Sequence, residues 1–170
     1  PEVLGRDQYS FYRDWKCTAV LALLHIDRIK GTESVLAEML EPKTSVEEVH
    51  RVLALLSELG LARAGKGGKW VACKSILTTG ETWKDIAIRE FQKETLQLAG
   101  RALDRIPKEE RDISTLTVTL GAKDLDRIRE MARQFRREVL SIAAQAPDPE
   151  RVWQLNPQLF PLSRKVEAAK

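Results

Sequence analysis

The sequence has 170 residues, of which 43% are hydrophobic and 31% charged, and its formal net charge is +3. This apolar content is enough for a folded core, which excludes a wholly disordered chain. The sequence contains no apolar run of about 18 residues, which excludes a membrane-spanning helix, and its two cysteines are too few for a disulfide framework. We therefore expect a cytoplasmic protein with no membrane partner. Because the sequence begins at Pro1 and not at methionine, we also expect a piece of a longer protein or a processed one.

The first half of the sequence predicts three helices. Apolar residues at spacings of three and four predict a helix over residues 8–26, and a second, short helix is expected after Thr32. Ser45 and Glu48 stand in the S-x-x-E arrangement of a capping box, which predicts the start of a third helix. Gly60 suits the left-handed position that follows the end of a helix. The third helix is therefore expected to end there.

A β-hairpin is predicted directly after the third helix, because two short extended stretches flank a glycine-rich turn at residues 65–68. Three helices and a hairpin form a winged helix-turn-helix module, which we assign to residues 1–77. In such modules the third helix and the wing contact DNA, and the basic residues in position to do so are Arg51, Lys66 and Lys69. From residue 32 to 60, however, six acidic residues stand against two basic ones. This balance favours a scaffold or an interaction surface over a DNA reader.

The second half, residues 78–170, predicts an alternation of helices and strands. Apolar residues at helical spacing predict one helix over about 82–104 and another over about 122–144. Threonine alternates strictly with leucine or valine over 115–120, and a second extended stretch covers 151–156. The predicted fold class is therefore α+β and mainly helical. A winged-helix-like first half is followed by a helix-strand-helix-strand second half.

Two strands alone form only a marginal sheet in water, and their outer edges invite further pairing. Either the wing hairpin joins the same sheet, or a second copy of the chain completes it across a two-fold axis. We expect a homodimer. The apolar seam of the helix over 122–144 is expected to pack on the helix over 82–104, the alternative being the same interface between copies. The residues predicted for the buried face of the sheet and the interface are Leu116, Val118, Trp153 and Leu155.

Few residues are available for catalysis, and we predict that the chain is not an enzyme. His25 and His50 lie on separate predicted helices without the spacing of metal ligands. Cys17 lies in an apolar stretch typical of a core residue, and Cys73 at the end of the wing is the better candidate for a reactive thiol. The glycines at 65–68 lack the strand-loop-helix context of a phosphate-binding loop. No catalytic residue, metal site or cofactor is predicted.

Four stretches of the sequence are distinctive in combination, namely FYRDW at 11–15, LTTG at 77–80, ERDISTLT at 110–117 and VWQLNPQLFPL at 152–162. Together they resemble a family of uncharacterised bacterial proteins first noticed as a paralogous group in Fibrobacter, and the resemblance covers about residues 10–162. Members of that family place a repressor-type helix-turn-helix domain ahead of this region and are described as transcription regulators. The resemblance implies a regulator whose main DNA-reading domain lies upstream of Pro1.

The leading hypothesis is therefore the C-terminal regulatory and self-association module of a bacterial transcription regulator, which reaches DNA through an upstream domain. One alternative is a stand-alone winged-helix protein that binds DNA through Arg51, Lys66 and Lys69. Another is an adaptor that binds a protein or an unidentified effector.

Overall fold

The computed structural model describes residues 9–73 and 81–167, and the fold is mainly helical with one two-stranded sheet. This confirms the α+β class. In chain order the elements are α1 (Trp15–Leu23), α2 (Glu33–Met39), α3 (Val46–Glu58), β1 (Ala62–Ala64), β2 (Trp70–Ala72), α4 (Glu81–Arg105) and α5 (Ala122–Ala144). Short 3-10 turns lie at Lys66–Gly68 and Lys108–Glu110. Within the described ranges, no helix has the length and apolar character that crossing a membrane requires.

The single helix predicted over residues 8–26 is interrupted. Residues 9–13 are helical, the backbone of Asp14 is extended, and α1 starts at the next residue. The Asp14 carboxylate accepts a hydrogen bond of 3.0 Å from the backbone N–H of Lys16. A short acidic side chain that caps a helix in this way favours the start of a new helix over the continuation of the preceding one. The prediction of one continuous helix over residues 8–26 was therefore wrong.

The predicted start and end of α3 are both confirmed. The Ser45 hydroxyl accepts a hydrogen bond from the backbone N–H of Glu48, and the Glu48 carboxylate accepts one from the backbone N–H of Ser45. The helix is closed by Gly60, whose φ of 70° lies in the left-handed region. Beyond it, the backbone N–H of Leu61 donates to the carbonyl of Leu56 over 2.8 Å. Local sequence rules thus fix both ends of this helix.

The wing is an antiparallel hairpin in which Arg63 of β1 lies opposite Val71 of β2. Its turn uses positive φ at Gly67 and Gly68, which glycine adopts without strain. The wing is tied to the segment between α1 and α2, because the backbone N–H of Trp70 donates to the carbonyl of Gly31 over 2.8 Å. A Cβ on Gly31 would lie only 2.5 Å from the carbonyl oxygen of Trp70. Glycine is therefore required at this approach.

The core lies between the first three helices. Its most deeply buried side chains include Val20 of α1, Leu36 of α2, and Val49, Leu53 and Leu56 of α3. The three α3 residues recur at spacings of four and three, which places them on one side of the helix. The hydrophobic stripe of α3 thus holds α1 and α2 together and leaves its polar side to solvent.

Helix α4 matches its predicted bounds to within one residue at each end and packs on the segment that leads into α1. The backbone N–H of Trp15 donates to the Glu94 carboxylate over 2.7 Å. The ring of Tyr12 meets that of Phe91 edge-to-face, with 6.1 Å between centroids. These contacts join α4 to the winged-helix-like part of the chain.

The described chain divides into two compact units by its internal contacts. The first contains residues 9–73, 81–113 and 146–154, and the second contains residues 114–145 and 155–167. The predicted domain boundary between residues 77 and 78 lies outside the described residues, as does the LTTG stretch, so that boundary stays a prediction.

The two strands predicted in the second half are wrong for the single chain. Residues 115–120 and 151–156 have no regular secondary structure, and the sheet found among the described residues contains only β1 and β2. A strand requires a hydrogen-bonded neighbour, and the two strands of the wing pair with each other. The alternation of polar and apolar residues predicted strands, but it did not identify a hydrogen-bonded neighbour for them.

Candidate functional site

The first candidate surface is the solvent-exposed side of α3, the helix that reads DNA in winged-helix proteins. A shallow groove on this side is lined by Glu33, Val46, Glu47, His50 and Arg51. Nδ1 of His50 lies 2.8 Å from Oε1 of Glu33, and this contact links α3 to α2. Two carboxylates against one guanidinium give the groove an acidic balance. A surface of this charge repels a phosphate backbone.

The second candidate surface is the wing, where Lys66 and Lys69 are exposed. Neither forms an ion pair with a described residue, and the same holds for Arg51 on α3. Trp70 is half-buried and packs against the core, so it offers no open ring on which a base can stack. The structure therefore places all three predicted DNA-contact residues at the surface, and their role in DNA binding stays a prediction.

A cluster of charged groups surrounds the start of α1. Nζ of Lys16 lies 3.1 Å from the Asp14 carboxylate and 3.8 Å from that of Glu48 on α3. The Glu94 carboxylate accepts from the backbone N–H of Trp15, and burial raises the pKa of Glu94 above its usual value. The cluster connects α1, α3 and α4. Sequence reasoning missed Glu94, because residues so far apart in the chain leave no local pattern.

The nucleophile and metal-ligand candidates do not form a reactive centre. Burial raises the pKa of the Cys17 thiol from 9.0 to about 12, so the thiol stays protonated and inert. This confirms the prediction that Cys17 is a core residue. Cys73 is half-buried and free, and His25 is exposed next to the end of α1. In the part of the chain that the structure describes, no cluster of histidine, cysteine, aspartate and glutamate has the arrangement of a metal site.

The third candidate surface is the second unit, whose long helix α5 contains no buried residue. Its predicted seam is half-buried at Leu125, Ile128, Ala132 and Val139, and exposed at Phe135 and Ile142. The side chain of Ile142 is 72% exposed. The α5 seam is therefore covered only in part within the chain.

Twelve large apolar side chains among the described residues of the second unit are exposed. They are Leu116, Val118, Leu120, Met131, Phe135, Leu140, Ile142, Leu155, Leu159, Phe160, Leu162 and Val166. Burying one such side chain completely stabilises a protein by about 1.5–3 kcal/mol. The twelve are between 41% and 95% exposed, so covering all of them contributes roughly 10–20 kcal/mol. Association of two proteins costs about 4–15 kcal/mol. The apolar surface of this unit is large enough to sustain a stable interface.

Three of the four predicted interface residues belong to this exposed set, and the fourth, Trp153, is an exposed residue of the first unit. Leu116 is 85% exposed and Trp153 is 68% exposed, and Val118 and Leu155 are also exposed. They do not form the buried face of a sheet within one chain, because their segments are not strands. The guanidinium of Arg151 lies 5.5 Å from the ring centroid of Trp153. The role of the four residues in an interface stays a prediction.

The family model described as "Domain of unknown function (DUF4423)" matches residues 1–162. The chain belongs to the DUF4423 family. Neither a comparison with curated proteins nor one with solved structures found a match. The α3 groove, the wing and α5 all lie inside the DUF4423 domain, together with the segments that carry the four predicted interface residues.

Proposed function

We propose that this DUF4423 domain is the regulatory and self-association module of a bacterial transcription regulator, and that DNA is read by a domain upstream of it. The observation that carries the proposal is the second unit, which buries no side chain of α5 and exposes twelve large apolar ones. Twelve exposed apolar side chains within one small unit favour an interface over a free surface. A homodimer formed through this unit covers it.

The charge of α3 supports placing the main DNA reader elsewhere. The helix that would enter the major groove carries Glu47 and Glu48 in its first turn, and Glu33 lies beside His50. DNA carries one negative charge for about every 1.7 Å of its axis. The resemblance to bacterial regulators with an upstream helix-turn-helix domain supports the same division of labour.

The oligomeric state tests this proposal directly. Light scattering and sedimentation at micromolar concentrations are expected to give a dimer. Leu116→Glu, Ile142→Glu and Phe160→Glu place a charge at three separate points of the second unit, and at least one is expected to weaken the dimer tenfold or more. Met39→Glu is the matched control, because Met39 is an exposed apolar residue of the first unit. A monomer at every concentration, or a dimer whose affinity is unchanged by all three substitutions, contradicts the proposal.

The second candidate function is DNA binding by the winged-helix-like part itself. It is favoured by the exposed cations Arg51, Lys66 and Lys69, none of which forms an ion pair with a residue that the structure describes. Titration with duplex DNA at about 50 mM salt and above separates the two functions, because binding through lysines falls steeply with salt. Our proposal expects no binding by this chain. Binding that falls with salt and is lost in the Lys66→Glu/Lys69→Glu variant would establish the second function instead.

A further inference from the structure

We infer that α5 pairs with α5 of a second copy as a parallel coiled coil, an inference that rests on the self-association proposed above. The α5 seam alternates spacings of three and four without interruption from Leu125 to Ile142. This repeat of 3.5 residues is the pattern with which helices wrap around one another, and its apolar residues occupy positions a and d of each heptad. The a positions are Leu125, Ala132 and Val139, and the d positions are Ile128, Phe135 and Ile142.

The structure leaves part of this seam uncovered within one chain. Helix α5 has 23 residues and buries none of them. Phe135 and Ile142 are exposed, and both occupy d positions, where a coiled coil buries side chains against the partner helix. The other four seam residues are half-buried. Pairing of two seams therefore buries the apolar surface that a single chain leaves in water.

The charges beside the seam argue for a second copy in parallel orientation. In a parallel coiled coil, the residue that precedes an a position lies beside the residue five places later on the other helix. Asp124 therefore lies beside Arg129 of the second copy, and two-fold symmetry provides this contact of opposite charges twice. Met131 lies beside the aliphatic part of Arg136 in the same way. Neither flank of the seam brings like charges together.

An antiparallel pair brings like charges together instead. Each flank then lies beside the same flank of the partner, and full contact of the seams sets Leu125 opposite Ile142 of the second copy. In this arrangement Arg129 lies within one turn of Arg136 of the second copy, again twice by symmetry. Sliding the helices by one heptad in either direction sets one of these arginines beside its own counterpart. Because like charges repel, α5 is complementary to itself in the parallel orientation and not in the antiparallel one.

The two charged groups of the parallel contact have the capacity for it. Within its own chain, the Arg129 guanidinium lies 3.4 Å from the Asp126 carboxylate. A guanidinium has five N–H donors, so it can donate to a second carboxylate as well. The Asp124 carboxylate accepts from the backbone N–H of Gly121 through Oδ2, and its other oxygen can accept from Arg129 of the second copy.

Disulfide crosslinking of the full chain tests the orientation. In a Cys73→Ser background, where Cys17 remains as a buried thiol, Ile142→Cys is expected to crosslink to itself, because residues at the same d position face each other in a parallel pair. In an antiparallel pair with fully matched seams these two residues lie about 25 Å apart. Leu140→Cys is the control, since Leu140 is exposed on α5 outside the seam. Ile142→Cys is expected to crosslink about ten times faster than this control or more.

The outcomes separate this inference from the proposal on which it rests. A dimer in which Ile142→Cys crosslinks no faster than Leu140→Cys overturns the inference and leaves self-association standing. Fast crosslinking only in a mixture of Leu125→Cys with Ile142→Cys establishes the antiparallel orientation and overturns the parallel one. A monomer in light scattering at every concentration contradicts the self-association itself and leaves the seam to a different protein.

Charge reversal tests the orientation without new cysteines. Arg129→Glu places a carboxylate beside Asp124 of the second copy, so the dimer is expected to weaken about three- to tenfold as two exposed ion pairs are lost. The same substitution would strengthen an antiparallel dimer, because it turns the repulsion from Arg136 into attraction. Arg133→Glu is the matched control, since Arg133 also pairs with a carboxylate three residues before it but lies outside the seam. An Arg129→Glu dimer as tight as the Arg133→Glu dimer, or tighter, overturns the inference.

Discussion

Replacing Gly31 by alanine is expected to destabilise the protein through a contact that only the folded structure reveals. The added Cβ would lie 2.5 Å from the carbonyl oxygen of Trp70 and 3.1 Å from a methyl carbon of Leu24. Relief requires the wing to move, which strains or breaks the hydrogen bond from the Trp70 N–H to the Gly31 carbonyl. Overpacking costs about 1–3 kcal/mol and a lost hydrogen bond about 1 kcal/mol. We therefore expect a loss of about 2–4 kcal/mol.

The same substitution at two other glycines supplies the matched controls. Gly100 lies within α4 with nothing within 4 Å of an added Cβ, so Gly100→Ala is expected to stabilise by about 0.5–1 kcal/mol. Gly60 also has open space but a φ of 70°, so Gly60→Ala is expected to cost about 1–2 kcal/mol from backbone strain alone.

Urea unfolding followed by the helical circular dichroism signal measures all three variants. The expected order of stability is Gly100→Ala, then the unsubstituted chain, then Gly60→Ala, then Gly31→Ala. A Gly31→Ala variant as stable as the unsubstituted chain would refute the close approach of the wing to the segment between α1 and α2.

The remaining predictions concern the capping box and the thiols. Ser45→Ala is expected to lower the free energy of unfolding by about 1 kcal/mol in urea titration, and no loss would mean that the cap contributes nothing. Hydrogen bonds from the backbone and hydroxyl of Ser45 lower the pKa of Glu48 in the folded protein. The Glu48 carboxylate therefore stabilises the fold fully above the pKa that Glu48 has in the unfolded chain. This stabilisation is lost as the pH falls through the lowered pKa of the folded state. Glu48→Gln is expected to flatten this part of an acid titration monitored by circular dichroism. An aromatic disulfide reagent is expected to modify Cys73 in the folded protein and Cys17 only on unfolding, so rapid loss of both thiols contradicts the burial of Cys17.

Local rules predicted the first half of the chain well, because the groups that define each helix end lie within a few residues of one another. The Ser45–Glu48 box and the turn at Gly60 are of this kind, and both were confirmed. The helix start at Asp14 was missed although its side chain also follows a local rule. The apolar residues on both sides of Asp14 keep helical spacing, and this periodicity predicted one continuous helix.

Long-range pairings and interfaces could not be predicted in the same way. The hydrogen bond from the backbone N–H of Trp15 to the Glu94 carboxylate joins residues 79 positions apart. The sequence around either residue does not predict the other as its partner. The segment at 115–120 shows the limit most clearly, since alternation reveals a strand-like face but the hydrogen-bonding neighbour decides whether a strand forms. The bounds of α5 were predicted closely, whereas what covers its seam depends on surfaces beyond the helix itself.

The chain returns to the first unit after residue 145, so residues 114–145 of the second unit are flanked on both sides by segments of the first. Val152 packs against the core, Asp148 lies 3.1 Å from the guanidinium of Arg28, and Arg151 lies 2.7 Å from Glu110. The chain segments before and after residues 114–145 are thereby both held in the first unit. Doubling the length of a closed loop costs only about 0.6 kcal/mol. Lengthening or shortening α5 by a whole turn is therefore expected to leave the packing of the winged-helix-like core unchanged.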